Sequence, residues 1–301
     1  MRLLNNIIAQ SHAINILKKA TENMVLPTAY LFFGPDGVGK STTARIIAKI
    51  LNCKHNGCNR CNICYQIDKR SYLGVREINV LPDKHQISIG QIRELQRDVF
   101  LTIPEVNCKV YILKDIEKMS KEASNAFLKT LEEPPDKVLF ILTTNAIDTL
   151  LPTIISRCQL VRFNPVPVEE IKKLLITKGI SKDKASYLAE ISGGSIGKAI
   201  EYTKDEVVEI EKIIDQYIDR IFQYKDVTRL FEFMEKIGRY NKDRIDIVLD
   251  IISWRIRKYF PHTILREAIK IIVDTRYQII IKNVNIQLGL EMMFLKLLYI
   301  K

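Results

Sequence analysis

Apolar positions follow two different rhythms along this chain. In the first half, short runs at Ala29–Phe33, Val75–Val80, Val110–Leu113, Val138–Thr143 and Leu160–Phe163 are strand-like, with helical spacing between most of them. That alternation predicts an α/β fold: a parallel sheet with helices on both faces. Asn164-Pro165-Val166-Pro167 interrupts the alternation and makes a natural hinge. From Val168 to about Asp205 the spacing is helical, broken at Gly193-Gly194-Ser195 before a last short helix. Beyond it, Ile210, Ile213, Ile214, Tyr217, Ile218 and Ile221 recur at helical intervals, as do Ile245, Val248, Leu249, Ile252 and Ile256. The pattern predicts three segments: an α/β domain over 1–165, a small helical domain over 166–205, and an all-helical domain over 206–301. No internal repeat is present.

One junction in this pattern carries chemistry. The strand Tyr30-Leu31-Phe32-Phe33 runs into Gly34-Pro35-Asp36-Gly37-Val38-Gly39-Lys40-Ser41-Thr42, and a helix follows through Ala44, Ile46, Ile47 and Ile50. The glycines let backbone N–H groups wrap an anion, Lys40 reaches the outer phosphates of a nucleotide, and Ser41 offers a hydroxyl to Mg²⁺. The helix N-terminus adds a favourable dipole. A strand before and a helix after are the context that makes Gly-x-x-x-x-Gly-Lys-Ser a phosphate site. It predicts bound ATP or ADP; hydrolysis needs further groups.

Composition narrows the class without changing that picture. Of 301 residues 47% are apolar, and no apolar run approaches a membrane span. The start Met1-Arg2-Leu3-Leu4-Asn5-Asn6 turns polar too soon for a signal peptide, so a cytoplasmic location is expected. The net charge is +11, and residues 1–165 hold 22 basic against 15 acidic side chains. That bias suits an anionic partner, nucleic acid first, and equally suits a solvated basic surface.

Four of six cysteines fall within Cys53-Lys-His-Asn-Gly-Cys58-Asn-Arg-Cys61-Asn-Ile-Cys64. Two overlapping Cys-x₂-Cys steps with a fourth thiol nearby can enclose one tetrahedral Zn²⁺. Gly57, Asn59 and Asn62 supply turns that let the sulfurs converge. Four thiolates leave no open coordination position, so the expected metal is structural. Disulfides are the rival arrangement, disfavoured in a reducing compartment. His55 is expected in solvent, and Cys108 and Cys158 as ordinary buried residues.

These elements together resemble the DNA polymerase III clamp-loader subunits, a group of AAA+ proteins. The likeness continues through Ser124-Asn-Ala-Phe-Leu-Lys129-Thr-Leu-Glu-Glu-Pro-Pro135 and Thr153-Ile-Ile-Ser-Arg-Cys158, and Ile7-Ile8-Ala9-Gln10 resembles the box near adenine, with Ala9 where glycine is usual. The resemblance implies an AAA+ P-loop domain, a helical lid over 166–205 and a helical collar over 206–301. Two subunit types share it, the gamma/tau motor and delta-prime.

Three features bear on that choice. An active AAA+ ATPase ends its acidic strand with Asp-Glu, one carboxylate for the Mg²⁺ shell and one to activate water. In the register of Lys109-Val-Tyr those positions are Lys114 and Asp115, and a lysine cannot hold Mg²⁺. Glu117 can substitute only if it faces the same way. In Ser192-Gly193-Gly194-Ser195-Ile196-Gly197-Lys198-Ala199 the motor's sensor arginine is replaced by Gly197, and Lys198 points about 100° away round the helix. Arg157, in Ser-Arg-Cys, is the residue that the family projects into a neighbour's ATP site; the plain alternative is a surface ion-pair partner. Asn145 stands at the first sensor position. Ser88 and Gln91 have capping-box spacing, and the helix start there, with Arg93 and Arg97, is a candidate DNA phosphate contact.

The resemblance therefore implies a delta-prime-like subunit of the polymerase III holoenzyme, a nucleotidyltransferase assembly, with little or no ATPase of its own. Its implied partners are gamma/tau and delta subunits and, through them, the sliding clamp and primed DNA, with no membrane. The alternative is a gamma/tau-type motor.

Overall fold

The computed structural model describes residues 3–300 apart from Met24, Asp83 and Thr102, and apart from the side chains of Asp243 and Ile281. Five parallel strands form one sheet in the order β2-β3-β4-β1-β5: β1 Ala29–Phe33, β2 Val75–Ile78, β3 Lys109–Leu113, β4 Val138–Thr144 and β5 Gln159–Arg162. The second strand ends earlier than the apolar run to Val80 suggested. Around the sheet lie α1 Ser11–Glu22, α2 Lys40–Asn52, α3 Asn62–Asp68, α4 Ile89–Val99, α5 Lys121–Glu132 and α6 Pro152–Ile155.

Both sheet faces are buried, which is why β1 and the stretches Val110–Leu113 of β3 and Val138–Leu142 of β4 are near-continuous apolar runs. On one face Tyr30, Phe32, Val110, Ile112 and Ile141 pack with Ala13, Leu17, Ala44 and Ile47 of α1 and α2. On the other, Leu31, Tyr111, Phe140 and Leu142 pack with Ile92, Leu95, Ala123 and Phe127 of α4 and α5. The alternation within one strand, Tyr30 and Phe32 against Leu31, is the period-two geometry of a pleated sheet.

The remaining helices are α7 Val168–Thr177, α8 Lys182–Ile191, α9 Ile196–Glu201, α10 Asp205–Tyr224, α11 Val227–Ile237, α12 Lys242–Arg255, α13 His262–Arg276 and α14 Ile286–Tyr299. The chain forms two compact units: one runs to Glu170 and takes in Gly194–Gly197, the other holds Ile171–Gly193 and everything from Lys198 onward. Polar and aromatic contacts tie the second unit together. Lys198 pairs with Asp246 at 3.0 Å and Asp250 at 2.6 Å, and Tyr187 meets Trp254 edge-on at 4.9 Å. These contacts join the shorter helices to α12. Tyr217, Phe222, Phe233 and Phe294 pack together among α10, α11 and α14. Among the described residues no helix is long and apolar enough to cross a membrane.

Candidate functional site

Every strand of a parallel sheet delivers its following loop to the same edge, and ligands of open α/β sheets gather there. Along this edge stand the glycine-rich loop after β1, Lys114 and Asp115 after β3, and Asn145 after β4. The loop's shape depends on its glycines. Gly34 has φ 141° and a Cβ there would lie 2.1 Å from the Phe163 carbonyl oxygen. Gly39, at φ 106°, caps α2, so Lys40, Ser41 and Thr42 form its first turn and their amides face the loop.

Lys40 is 7% exposed, and its Nζ donates to the carbonyl oxygens of Gly34 at 2.6 Å and Pro35 at 2.7 Å. Asp36 lies 3.6 Å from the same ammonium and accepts a 2.7 Å hydrogen bond from Asn145 Nδ2. Burial pushes the lysine below its ordinary range, and the carboxylates of Asp36, Asp115 and Glu117 counter that shift. The sensor position Asn145 is thus joined to the loop, as are the residues around Gly197. The Gly197 amide donates to the Gly37 carbonyl at 2.9 Å. A Cβ on Gly37 would fall 2.1 Å from Ser195 Oγ, and one on Gly197 would meet Gly37 Cα at 3.0 Å. Glycine faces glycine, and a Cβ at 197 would press on the Gly37 backbone.

Lys114 and Lys198 are both engaged in ion pairs. Lys114 Nζ lies 2.6 Å from Glu77 on β2, which also takes Arg45 of α2 at 2.6 Å and Arg70 at 3.4 Å. Glu77 is itself well buried. Burial pushes its carboxyl up, but Lys114 and Arg45 outweigh that and hold it below the ordinary range. Lys198 belongs to the Asp246–Asp250 cluster, which also holds Arg276 and Tyr202. Asp115 adopts a left-handed conformation, φ 51° and ψ 54°, takes a 3.3 Å bond from its own amide to Thr143 Oγ1, and pairs with Lys118 at 3.3 Å.

Arg157 lies between α6 and β5, ahead of the strand, and so at the sheet end opposite the glycine-rich loop. Its guanidinium, 35% exposed, pairs with Glu132 at 2.6 Å and donates to the Thr153 carbonyl at 3.0 Å. The surface ion pair weighed from sequence is therefore real, and its partner comes from the Leu-Glu-Glu run. Gln10 of the Ile7–Gln10 box is buried and clamps Asn164 in both directions, at 2.7 and 2.9 Å. Ala9 takes φ 54°, the left-handed region that glycine enters most easily, which explains the usual residue there.

The four cysteine sulfurs all lie within 4.8 Å of one another. Cys53 Sγ is 3.7 Å from Cys58 Sγ and 3.6 Å from Cys61 Sγ. A tetrahedron with metal–sulfur bonds of about 2.3 Å has edges of about 3.8 Å, so the spacing fits one zinc ion. It is far too long for a disulfide, about 2.05 Å. Left-handed Asn56, Gly57 and Asn59 turn the chain between the ligands, whereas Asn62 begins α3. Burial pushes Cys53 up, but amides of Cys58, His55 and Gly57 hold it down at about 6, a thiolate-favouring setting. His55 is exposed and its side chain lies outside the group. Cys108 and Cys158 are half-buried rather than fully buried, and burial raises them to about 11 and about 12.

Ser88 and Gln91 close the capping box that starts α4, with Gln91 Oε1 accepting from the Ser88 amide at 3.1 Å. Arg93 and Arg97 are exposed on the same helix. What the sequence reading missed is Glu77, an acid in a β-strand with no motif around it. Only its packing against three cations reveals it.

A profile of the family described as DNA polymerase III, delta subunit, matches residues 9–167. The gamma/tau subunit of DNA polymerase III from Mycoplasma genitalium is 31% identical over 293 residues, covering 93% of this chain and 48% of that protein. The delta-prime subunit from Bacillus subtilis is 33% identical over 213 residues, 69% of this chain and 64% of that one. The chain spans about half the length of the curated relatives it matches. Among solved structures, a gamma subunit-related protein from Thermotoga maritima superposes with a TM-score of 0.56 at 19% identity, over 94% of this chain and 99% of that one, a likeness of fold alone. Sheet, glycine-rich loop and relatives agree, and the chain belongs to the DNA polymerase III clamp-loader subunits of the gamma/tau and delta-prime type, on an AAA+ fold.

Proposed function

We propose that this chain is a delta-prime-like clamp-loader subunit that acts on a neighbour's ATP rather than its own. The observation that carries the reading is Lys114: a cation stands where Mg²⁺ needs a carboxylate, and Glu77 holds it at 2.6 Å. Gly197 supports it, since no side chain from that position reaches a phosphate. Nucleotide held by Gly34–Thr42 serves as a structural ligand. Residues 166–205 act as lid and 206–301 as collar.

In this reading Arg157 reaches the ATP of the adjacent subunit, where a guanidinium stabilises charge on the transferring phosphoryl group. Its place at the sheet end away from its own phosphate loop suits work in trans. The ion pair with Glu132 is exposed and costs little to exchange for a phosphate. The assembly would comprise gamma/tau and delta subunits and place the sliding clamp on primed DNA. Ser88, Arg93 and Arg97 would meet DNA phosphate. The four cysteines would hold a structural Zn²⁺; one equivalent measured by atomic emission, lost in Cys58→Ser, is the expected result.

The length of the match to a gamma/tau subunit favours a second reading, a motor that hydrolyses ATP despite its altered acidic strand. ATP turnover of the reconstituted complex on primed DNA separates the two. Loss with Arg157→Ala and near-normal turnover with Lys40→Ala is expected. The reverse pattern would establish a motor.

A further inference from the structure

Among the described residues, Glu117 is a carboxylate beside this sheet edge that is enclosed and without a hydrogen-bond partner. It sits in the single helical turn Ile116–Lys118 that follows β3, directly after the Lys114–Asp115 pair. Both of its carboxylate oxygens are shut off from solvent, and neither accepts a hydrogen bond from any described residue. Its neighbours differ on this point: Asp115 is paired with Lys118, and Asp36 with Lys40 and Asn145. The Glu117 charge acts on the buried Lys40 ammonium of the phosphate loop, although no ion pair joins them.

An enclosed carboxylate without partners is costly, because desolvation of the charge is not repaid by attraction. An unsatisfied buried group calls for an explanation, and a bound ion that supplies the counter-charge is one that fits a carboxylate. At the phosphate loop of a P-loop protein that counter-charge has an obvious chemical class, a hard divalent cation arriving with nucleotide, which takes carboxylate and water oxygens. Lys114 cannot serve it, and Asp115 is turned toward Lys118 by its left-handed backbone.

We propose that Glu117 is the carboxylate that serves the divalent cation of a nucleotide held in this loop, replacing the acidic pair the strand has lost. The inference rests on the reading of Gly34–Thr42 as a nucleotide site. It does not make the chain a motor: holding the cation places no group to activate water, and Glu117 spent on the metal is not free as a base.

The test is binding of a fluorescent ATP analogue to the full chain, with Mg²⁺ and with EDTA, alongside Mn²⁺ binding followed by electron paramagnetic resonance. Wild type should bind more tightly with Mg²⁺. Glu117→Gln should match wild type in EDTA and lose most of the metal-dependent gain, with Mn²⁺ affinity about tenfold or more weaker. Asp115→Asn should keep both. The melting temperature in the absence of ligand should hold or rise in Glu117→Gln, since an unpaired buried charge is removed; a purely structural carboxylate would lower it. An undiminished Mg²⁺ effect in Glu117→Gln overturns the proposal. Wild-type binding that is equal in Mg²⁺ and EDTA also overturns it while leaving the nucleotide site standing. No binding in either condition removes the nucleotide site, and the proposal with it.

Discussion

The two ends of the sheet in the first unit have been treated differently. At the glycine-rich-loop end, cations are satisfied internally: Lys40 by its own loop carbonyls, Lys114 by a buried carboxylate. At the opposite end Arg157 is held by an exposed pair with Glu132, 35% and 48% of the two side chains open to solvent, and by one hydrogen bond to the Thr153 carbonyl. Desolvated, multiply bonded charges are hard to redirect, whereas a solvated pair exchanges partners at a cost of about 1 kcal/mol or less. The contrast teaches that packing fixes the partners of the charges at one end, while exposure leaves the partner of Arg157 exchangeable.

The largest effect that would break this comparison belongs to Arg157. Replacement by lysine keeps the charge and loses the planar fork, so single-turnover hydrolysis at the adjoining site should fall about a hundredfold or more. Near-normal turnover in Arg157→Lys would mean that the residue is only a surface cation.

Next in size is Glu77. Glu77→Gln leaves Lys114 and Arg45 without their common acceptor and should cost about 2–3 kcal/mol, read by urea unfolding at neutral pH. The sign of its pH dependence follows from the depressed carboxyl. Its contribution is fully present above the ordinary carboxylate range and is lost as pH falls through that range toward the lower folded value. The gap between wild type and variant should therefore narrow on acidification. A gap that is constant with pH would remove the ionic origin.

Gly197→Arg sharpens the comparison from the loop side. The arginine of a motor should fail to create turnover, because Lys114 is unchanged. It should also lower stability by about 1–3 kcal/mol, since a Cβ at 197 would press on Gly37 at 3.0 Å. Appearance of ATP hydrolysis in that variant would show the loop to be more adaptable than its packing implies. The smallest effect is expected of Glu132→Gln, which frees Arg157. Stability should change by about 0.5 kcal/mol or less, and turnover of the complex should rise by about threefold at most. A large loss of turnover would mean that Glu132 positions the arginine rather than merely holding it.

Much of this arrangement is local, and so legible in the chain. The loop from Gly34 to Thr42, the cysteine spacing and the Ser88–Gln91 cap each depend on backbone conformations fixed within a few residues. Lys114, Gly197 and Arg157 could likewise be picked out by position within a motif. Their partners could not. Glu77 meets Lys114 only because β2 lies beside β3, Glu132 meets Arg157 only because α5 ends near the start of β5, and Asp250 reaches Lys198 from a helix far along the chain.

The sequence by itself determined which side chains stand at each position of the glycine-rich loop and the strand ends beside it, because glycine conformation, strand register and helix start are short-range properties. Tertiary structure alone decided which charges are spent and which remain available. Whether a carboxylate is paired, solvated or enclosed depends on neighbours brought from distant segments, and in the low dielectric of a protein interior that difference sets what the group can do.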